Sequence, residues 1–220
     1  MCIRDRLSTV CFRERYRPIF QEAKRLLEGH EITHIRFQSI RTIPDVRDTN
    51  TWHGVFEKGA SAFFDWGPHA VDYSRFVSGL DVTTAQGYLK HDAERHRSPT
   101  SASFNYLMSN GATMTVTFTC TTPAAPEGEP YFLFYYEGGY LAIHGYDYIE
   151  VKGEQVFEGE EFNPWFELDR RFCEAVRSGD SSQLLNDYHD GLYSLGPILA
   201  AWESSRRGGQ PIDVAEYVRA

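Results

Sequence analysis

The sequence lacks a long apolar run, a phosphate-binding glycine loop and paired cysteines. No stretch reaches about 18 consecutive apolar residues, so we expect no membrane span and no secretory signal. The four cysteines, Cys2, Cys11, Cys120 and Cys173, form no C-x-x-C pair, which favours reduced thiols in a cytoplasmic protein. Neither a G-x-G-x-x-G nor a Walker-type loop occurs, so the sequence has no visible cradle for nucleotide phosphates.

Positive charge is also scarce. The 220 residues include 22 Lys and Arg against 31 Asp and Glu, for a formal net charge of -9. An acidic surface argues against a nucleic-acid or acidic-membrane partner. With 41% hydrophobic and 15% aromatic residues, the composition is that of a folded protein, and the length supports one sizeable core or one domain plus part of another.

The first residues fit no secondary-structure element. Met1 to Arg6 is charged and irregular, whereas Leu7 to Phe12 has the composition of a short buried strand. We therefore interpret residues 1–14 as a non-native start followed by the remnant of the last strand of a preceding domain. Residues 15–220 are expected to form one domain.

Hydrophobic periodicity predicts an α+β fold for that domain, with a sheet covered by helices on one face. Asn110-Gly111 is a strong signal for a hairpin turn. The predicted helices are Tyr16–Glu28, Gly59–Gly79, Trp165–Ser178 and Tyr188–Arg206, the last interrupted at Gly196-Pro197. The predicted strands are Ile32–Arg41, Val82–Lys90, Ser101–Met108, Ala112–Thr119, Tyr131–Tyr136, Tyr140–His144, Tyr146–Lys152 and Pro211–Val214.

The sharpest candidate site is the segment Phe64-Asp65-Trp66-Gly67-Pro68-His69-Ala70-Val71-Asp72. On a helix, Asp65, His69 and Asp72 share one face. A carboxylate one turn from an imidazole can fix its tautomer and raise its basicity, as a general base requires, and Gly67 would leave the helix surface open between them. A helix whose polar face merely meets solvent, and a metal site, are the alternatives that this spacing leaves open.

A second motif, His30-Glu31-Ile32-Thr33-His34, matches the H-E-x-x-H pattern of zinc proteases. That chemistry needs both histidines on one helical face. Here Gly29 ends a helix just before the motif, and the β-branched residues begin an alternating strand. On a strand the two histidines would lie about 13 Å apart, so we reject the metalloprotease interpretation and expect no metal site.

Three separated stretches resemble the C-terminal region of the Gfo/Idh/MocA oxidoreductases, which include glucose–fructose oxidoreductase and inositol dehydrogenase. Together they cover almost the whole chain from about Leu7 onward. Ala60 replaces the second glycine of the middle motif, and the family's E-K-P lysine segment and phosphate-binding glycines do not occur. The matching stretches are Arg15-Tyr16-Arg17-Pro18 with Lys24 and Gly29; Gly59 to Gly79, with Asp65-Trp66-Gly67-Pro68-His69 and Asp72; and Asp190-Gly191-Leu192, Ala200-Ala201, Glu203-Ser204 and Gly208.

The resemblance implies an open, mainly antiparallel β-sheet flanked by helices, with only the last strand of the Rossmann domain present. It also implies a homodimer formed through the sheet. His69 would be the catalytic acid/base, and Asp65 its partner and a substrate contact. Asp72 and Gly67 would be structural, and Trp52, His53 and Arg15 would bind substrate. His53 stands where family members often have arginine, which affects substrate preference.

The function expected from this resemblance is that of the substrate-binding part of an NAD(P)-dependent oxidoreductase. The complete enzyme would act on a CH–OH group of a sugar, polyol or derivative. NAD or NADP would bind to the full-length protein, and this chain alone would bind neither cofactor and be inactive. The alternative is a non-catalytic sheet module for binding or dimerisation.

Overall fold

One large sheet organises the molecule. The computed structural model describes residues 7–42, 62–91, 94 and 99–219, and within these residues ten strands form the sheet. A 3-10 turn, Arg13–Tyr16, precedes the first helix. The helices are α1 (Pro18–Leu27), α2 (Ala62–Ser78), α3 (Pro164–Ser178), α4 (Tyr188–Arg206) and α5 (Val214–Arg219). The strands are β1 (Ile32–Thr42), β2 (Val82–Lys90), β3 (Ser101–Met108), β4 (Thr113–Thr119), β5 (Thr121–Ala124), β6 (Phe132–Tyr136), β7 (Gly139–His144), β8 (Tyr148–Val151), β9 (Glu154–Glu158) and β10 (Ile212–Asp213).

The sheet is open and mainly antiparallel. Its strand order is β10-β2-β3-β4-β1-β6-β7-β8-β9, and β5 pairs with the end of β1. Among the described strands, β1 and β4 form the one parallel pair, with Phe37 opposite Val116. On its other side β1 runs antiparallel to β6, with Phe37 opposite Phe132. This architecture confirms the predicted α+β class.

Period-two alternation places the core on one face of the sheet. Helices α1, α2 and α4 cover that face, and an aromatic cluster fills the space between the two layers. Phe20 of α1 meets Phe132 edge-on at 5.7 Å between ring centroids. At the opposite end of the sheet, Gly87 lets α4 approach β2, since a Cβ there would lie 2.5 Å from the carbonyl oxygen of Ala201. The largest fully buried aromatic side chains are Phe20, Phe37, Phe63, Phe104, Phe132 and Phe134.

The opposite face of the sheet carries polar and aromatic side chains. On β4 the alternating residues Thr113 and Thr117 are exposed, and on β3 Leu107 keeps 45% of its surface accessible. Tyr135 of β6 is 38% exposed. No helix among the described residues is long and apolar enough to cross a membrane.

The strand predicted at Leu7–Phe12 is wrong. These residues form an irregular segment, because a strand needs a hydrogen-bonded neighbour and this segment bonds to a side chain instead. Val10 N donates to Asn186 Oδ1 at 2.7 Å, and Thr9 Oγ1 donates to the same oxygen at 2.8 Å. Whether residues 1–14 derive from a Rossmann domain stays a prediction.

Other elements also differ from expectation. Strand β5 and the largely exposed strand β9 were not predicted. Helix α4 runs unbroken through Gly196-Pro197, because both residues are buried by tertiary packing that outweighs the lost hydrogen bond. On α3 the apolar side chain of Phe166 points outward and is 65% exposed, while Leu168 and Ala175 are buried.

Candidate active site

The predicted helix around the Asp65–Asp72 motif is confirmed as α2. Its three motif side chains have different surroundings. Asp65 and His69 are half-buried, whereas Asp72 has no accessible surface. The motif therefore divides into an accessible part, Asp65 and His69, and a buried part, Asp72.

The imidazole of His69 lies between two aromatic rings. Its Nδ1 is 3.1 Å from the hydroxyl oxygen of Tyr73, one turn further along α2. The two rings are nearly parallel, with centroids 5.6 Å apart and 27° between their planes. Phe12, in the segment before the 3-10 turn, meets the imidazole edge-on at 5.6 Å. These contacts fix both the position and the tilt of the ring.

The charge state of His69 is set mainly by burial. Burial, reinforced by the positive charge of Arg13, lowers the pKa of His69 to about 4, and the negative charge of Asp65 only partly opposes this. The ring is therefore neutral at pH 7. We expected the nearby carboxylate to raise its basicity, but the desolvation cost of an imidazolium is the larger effect.

A pocket of about 300 Å³ lies beside His69. It is bounded by the irregular segment at residues 10–12, by the start of α2 and by α4. Most of the lining is apolar, and His69 is placed to supply a polar nitrogen to a ligand there. The lining residues are Val10, Cys11, Phe12, Pro68, His69, Tyr188, Gly191, Leu192 and Leu195.

Three arginines gather at the edge of the sheet near the start of α2, where β1 ends and β6 begins. The guanidinium of Arg41 stacks 3.6 Å above the ring of Trp66, three residues before His69. Arg17 covers the ring of Tyr146 at 4.2 Å, and Arg13 covers Trp165 at 4.1 Å. Stacking of this kind holds each cation in place while its N–H groups remain able to donate.

Glu14 and Tyr131 complete this polar cluster. The buried carboxylate of Glu14 bridges Arg13 and Arg17, with nitrogen–oxygen distances of 3.2 and 2.5 Å. Burial is the main cause that raises the pKa of Tyr131 to about 12, and electrostatic repulsion from Tyr146 adds to it. The positive charge of Arg41 and a hydrogen bond with Arg41 oppose this rise. The cluster thus places donors and acceptors side by side, as recognition of a substrate with several hydroxyl groups requires.

Arg15 lies in a buried ion-pair network, away from the pocket lining. Its Nε and Nη2 donate to the carboxylate of Asp72 at 2.9 and 2.5 Å, and Nη2 also contacts Asp190 at 2.6 Å. Ser194 donates to Asp72 at 2.8 Å, and Arg15 Nη1 donates to the carbonyl of Leu185. The contacts of Arg15 favour a structural role over the predicted contact with substrate, because its donors already have protein partners.

The surroundings of Gly67 agree with the structural role that the resemblance implies, but not with the open helix surface that we expected from its position beside His69. A Cβ at this position would lie 2.8 Å from Cδ1 of Ile198 and 3.1 Å from its Cγ1. The missing side chain therefore lets α2 pack closely on α4, rather than opening the surface beside His69. Trp52 and His53, predicted to bind substrate, lie outside the described residues.

The structure separates the two histidines of the H-E-x-x-H motif into different local environments. His30 precedes β1 and packs on Tyr136 with ring centroids 4.2 Å apart. His34 lies on β1, where its Nδ1 is 2.8 Å from Thr113 Oγ1. The strand assignment is confirmed, and the described residues contain no group of three or more His, Cys, Asp or Glu side chains suited to a metal ion.

A profile of the GFO/IDH/MocA C-terminal domain matches residues 20–145, more than half of the chain. The chain belongs to this family. The match spans most of α1, the sheet as far as β7 and all of α2, including His69. The pocket residues that precede α1 and those on α4 lie outside it. No curated protein matches the sequence.

Solved structures share the fold over nearly the whole chain. An oxidoreductase from Thermotoga maritima matches 95% of this chain and 63% of its own length, with a TM-score of 0.79 at 17% identity. An oxidoreductase from Agrobacterium radiobacter, in complex with NAD+, L-tartaric acid and magnesium, matches 96% of this chain and 66% of its own length (TM-score 0.74, 21% identity). The WlbA dehydrogenase from Bordetella pertussis, in complex with NADH and UDP-GlcNAcA, matches 94% of this chain and 63% of its own length (TM-score 0.71, 20% identity).

The GFO/IDH/MocA chain described here thus spans less than two thirds of the length of these structures. At sequence identities of 17%, 21% and 20%, the similarity to these structures establishes the fold alone. Sequence reasoning missed several features of the site, among them the polar cluster around Arg41, the Tyr73 hydroxyl and the Arg13 charge. The four-residue spacing of His69 and Tyr73 was a usable signal on a helix, whereas the approach of Arg13 depends on tertiary packing.

Proposed function

We propose that this chain is the substrate-binding part of an NAD(P)-dependent oxidoreductase acting on a CH–OH group of a sugar, polyol or derivative. The observation that carries the proposal is a neutral, half-buried His69 that lines an apolar pocket, within a segment that matches the family. His69 serves as the acid/base group, and Asp65 serves as its partner and as a substrate contact.

The molecules bound in two of the similar solved structures support the choice of cofactor and substrate class. The Agrobacterium protein is in complex with NAD+ and L-tartaric acid, and the Bordetella protein with NADH and UDP-GlcNAcA. The present sequence has no G-x-G-x-x-G loop, so its residues do not fit the pyrophosphate of a dinucleotide. NAD or NADP would therefore be held by the full-length protein outside this chain.

The residues of this chain would bind and orient the substrate. Arg41, Arg17 and Tyr131 can donate to hydroxyl or carbonyl oxygens, and Glu14 holds Arg13 and Arg17 in place. Trp52 and His53 remain proposed contacts. The apolar pocket excludes water from one side of His69, which strengthens its hydrogen bond to the reacting oxygen. His69 would then exchange a proton with that oxygen while the carbon changes its oxidation state.

The test is His69→Ala in the full-length protein. Loss of an acid/base group typically lowers kcat by about a hundred- to ten-thousand-fold, and Asp65→Asn should give an intermediate loss if Asp65 orients the ring. The control is His189→Ala, because His189 is exposed on α4. A His69→Ala enzyme with normal kcat per folded molecule would exclude the catalytic role and favour the alternative, a non-catalytic module for binding or dimerisation.

Two further assignments belong to this proposal. The exposed Leu107 and Tyr135 on the outer face of the sheet support a homodimer formed through that face, since apolar patches on an open sheet favour association. The cysteines Cys11, Cys120 and Cys173 are free thiols, which is consistent with the cytoplasmic location that we propose.

A further inference from the structure

The contact between Tyr73 and His69 decides which imidazole nitrogen meets the substrate. Tyr73 is 4% exposed, and its hydroxyl oxygen lies 3.1 Å from Nδ1 of His69. Among the described residues, Nδ1 of His69 is the hydrogen-bond partner of the Tyr73 hydroxyl. The Tyr73 ring also packs on the rings of Phe20 and Phe132, with centroids 5.1 and 6.4 Å away, which offer no acceptor atom of comparable strength. Glu14 and Asp72 act on Tyr73 through their charges and are not hydrogen-bond partners of its hydroxyl within the part of the chain that the structure describes.

The direction of this hydrogen bond follows from the need to satisfy buried polar groups. Burial, with the charges of Glu14 and Asp72, raises the pKa of Tyr73 strongly, so its hydroxyl keeps its proton. A buried O–H without an acceptor is destabilising, because its lost hydrogen bond to water is not replaced. A neutral imidazole offers one acceptor nitrogen, and a phenol is a good donor. The arrangement that satisfies both groups has Tyr73 donating to Nδ1.

We infer that Tyr73 is the positioning residue for His69 and holds the neutral ring as the tautomer protonated at Nε2. Nε2 is then the nitrogen left for substrate, and in the resting site it presents an N–H to a substrate oxygen. The Nε2–H ring cannot itself accept a proton at Nε2, so proton exchange with a substrate oxygen runs between the imidazolium and the Nδ1–H tautomer. In both of these forms Nδ1 carries hydrogen, and the hydroxyl of Tyr73 rotates to accept from it. One side chain thus holds the ring in both protonation states.

Asp65 cannot donate a hydrogen bond to Nδ1, because a carboxylate only accepts hydrogen bonds. The charged groups that act on the imidazole are Arg13 from the 3-10 turn and Asp65 from α2 itself, and their charges change the energy of the imidazolium. The tautomer of His69 is a property of this chain and does not depend on the proposed function. Only the effect of Tyr73 on the reaction with substrate rests on that function.

The experiment is nitrogen-15 NMR of the histidine rings in this chain at pH 7.5, with the His69 signals assigned by their loss in His69→Gln. We expect His69 to show the Nε2–H tautomer, with an Nδ1 signal displaced towards that of a hydrogen-bonded acceptor. In Tyr73→Phe, that signal should move towards the value of a free pyridine-like nitrogen. The matched control is Tyr106→Phe, because the buried Tyr106 hydroxyl has no hydrogen-bond partner among the described residues.

An Nδ1–H tautomer in the unmodified chain, or an Nδ1 signal unchanged by Tyr73→Phe in a folded protein, overturns the inference. In the full-length enzyme, Tyr73→Phe should lower kcat about tenfold, the value of one hydrogen bond, with KM little changed. If the NMR result holds but the full-length enzyme shows no oxidoreductase activity, the proposed function fails and the assignment of Tyr73 stands.

Discussion

The guanidinium of Arg15 forms a bidentate ion pair with the carboxylate of Asp72, with Nε 2.9 Å from Oδ2 and Nη2 2.5 Å from Oδ1. Arg15 belongs to the 3-10 turn and Asp72 to α2, and Asp190 of α4 joins them. The ion pair therefore ties the 3-10 turn to the two helices that line the pocket. Because Phe12 and Arg13 lie three and two residues before Arg15, the same contact helps to position them near His69.

The first prediction is that Asp72→Asn strongly destabilises the domain. The substitution leaves the buried charge of Arg15 without its main partner, and breaking one side of a buried ion pair typically costs about 3–5 kcal/mol. Urea unfolding would measure the loss. The control is Glu174→Gln, which removes one carboxylate from the largely exposed Arg170 pair and should cost less than about 1 kcal/mol. Equal effects for the two variants would contradict a structural role for Asp72.

The sheet and α2 could be predicted from sequence because they depend on local periodicity. Alternation along Ile32–Thr42 predicts β1 whatever its neighbours. The strand expected at Leu7–Phe12 failed because pairing is not local, and the side chain of Asn186, far along the chain, takes its place. Likewise, β9 has mostly polar, exposed residues, so no hydrophobic pattern marks it.

The site was predictable only in part for the same reason. Helical spacing places Asp65, His69 and Asp72 on α2, but spacing cannot show whether burial or a neighbouring charge has the larger effect on the pKa of His69. The low pKa of His69 results from burial together with Arg13, which reaches the ring only through the tertiary fold. The role of Gly67 depends on Ile198, a residue of another helix.

The second prediction concerns that helix contact. Gly67→Ala would place a methyl group 2.8 Å from Cδ1 of Ile198, and overpacking of this kind costs roughly 1–3 kcal/mol. Ile198→Val alone should cost about 0.5–1.5 kcal/mol. Because valine lacks the crowding Cδ1, the double variant should lose less stability than the sum of the single losses. Additive losses in thermal or urea unfolding would exclude the proposed contact between α2 and α4.

The third prediction is a pH dependence of stability caused by His69. The pKa is about 4 in the folded chain against 6.5 for the ordinary side chain. Between these values the unfolded chain binds a proton that the folded chain does not, so stability falls as the pH decreases through this window. The expected loss between pH 7.5 and 4.5 is about 2–3 kcal/mol.

His69→Gln should lack this component, while carboxylates contribute equally to both proteins. Urea titrations at the two pH values would measure the difference. His189→Gln is the control, because His189 is exposed and its removal should leave the pH dependence as in the unmodified chain. An identical pH dependence for His69→Gln and the unmodified chain would show that His69 is not protected from protonation by burial.

The fourth prediction is that the chain forms a homodimer through the outer face of the sheet. Tyr135→Lys places a charge on that face and should shift the equilibrium towards monomer in sedimentation experiments. Val218→Lys is the matched control, because Val218 is comparably exposed, at 45%, but lies on α5. A chain that is monomeric at micromolar concentration, or one dissociated equally by both variants, would count against an interface on the sheet.

The last prediction is that this chain alone binds neither NAD nor NADP. The pocket beside His69, of about 300 Å³, has an apolar lining that could contact a flat ring. A dinucleotide also carries a pyrophosphate, which is normally held by the glycine loop and helix N-terminus of a Rossmann domain. The sequence lacks that loop, and its net charge of -9 repels an anionic ligand. Calorimetric titration should therefore show no measurable heat with the isolated chain but saturable binding with the full-length protein. Micromolar binding to the isolated chain would show that it contains a phosphate site of a kind that the glycine motif does not describe.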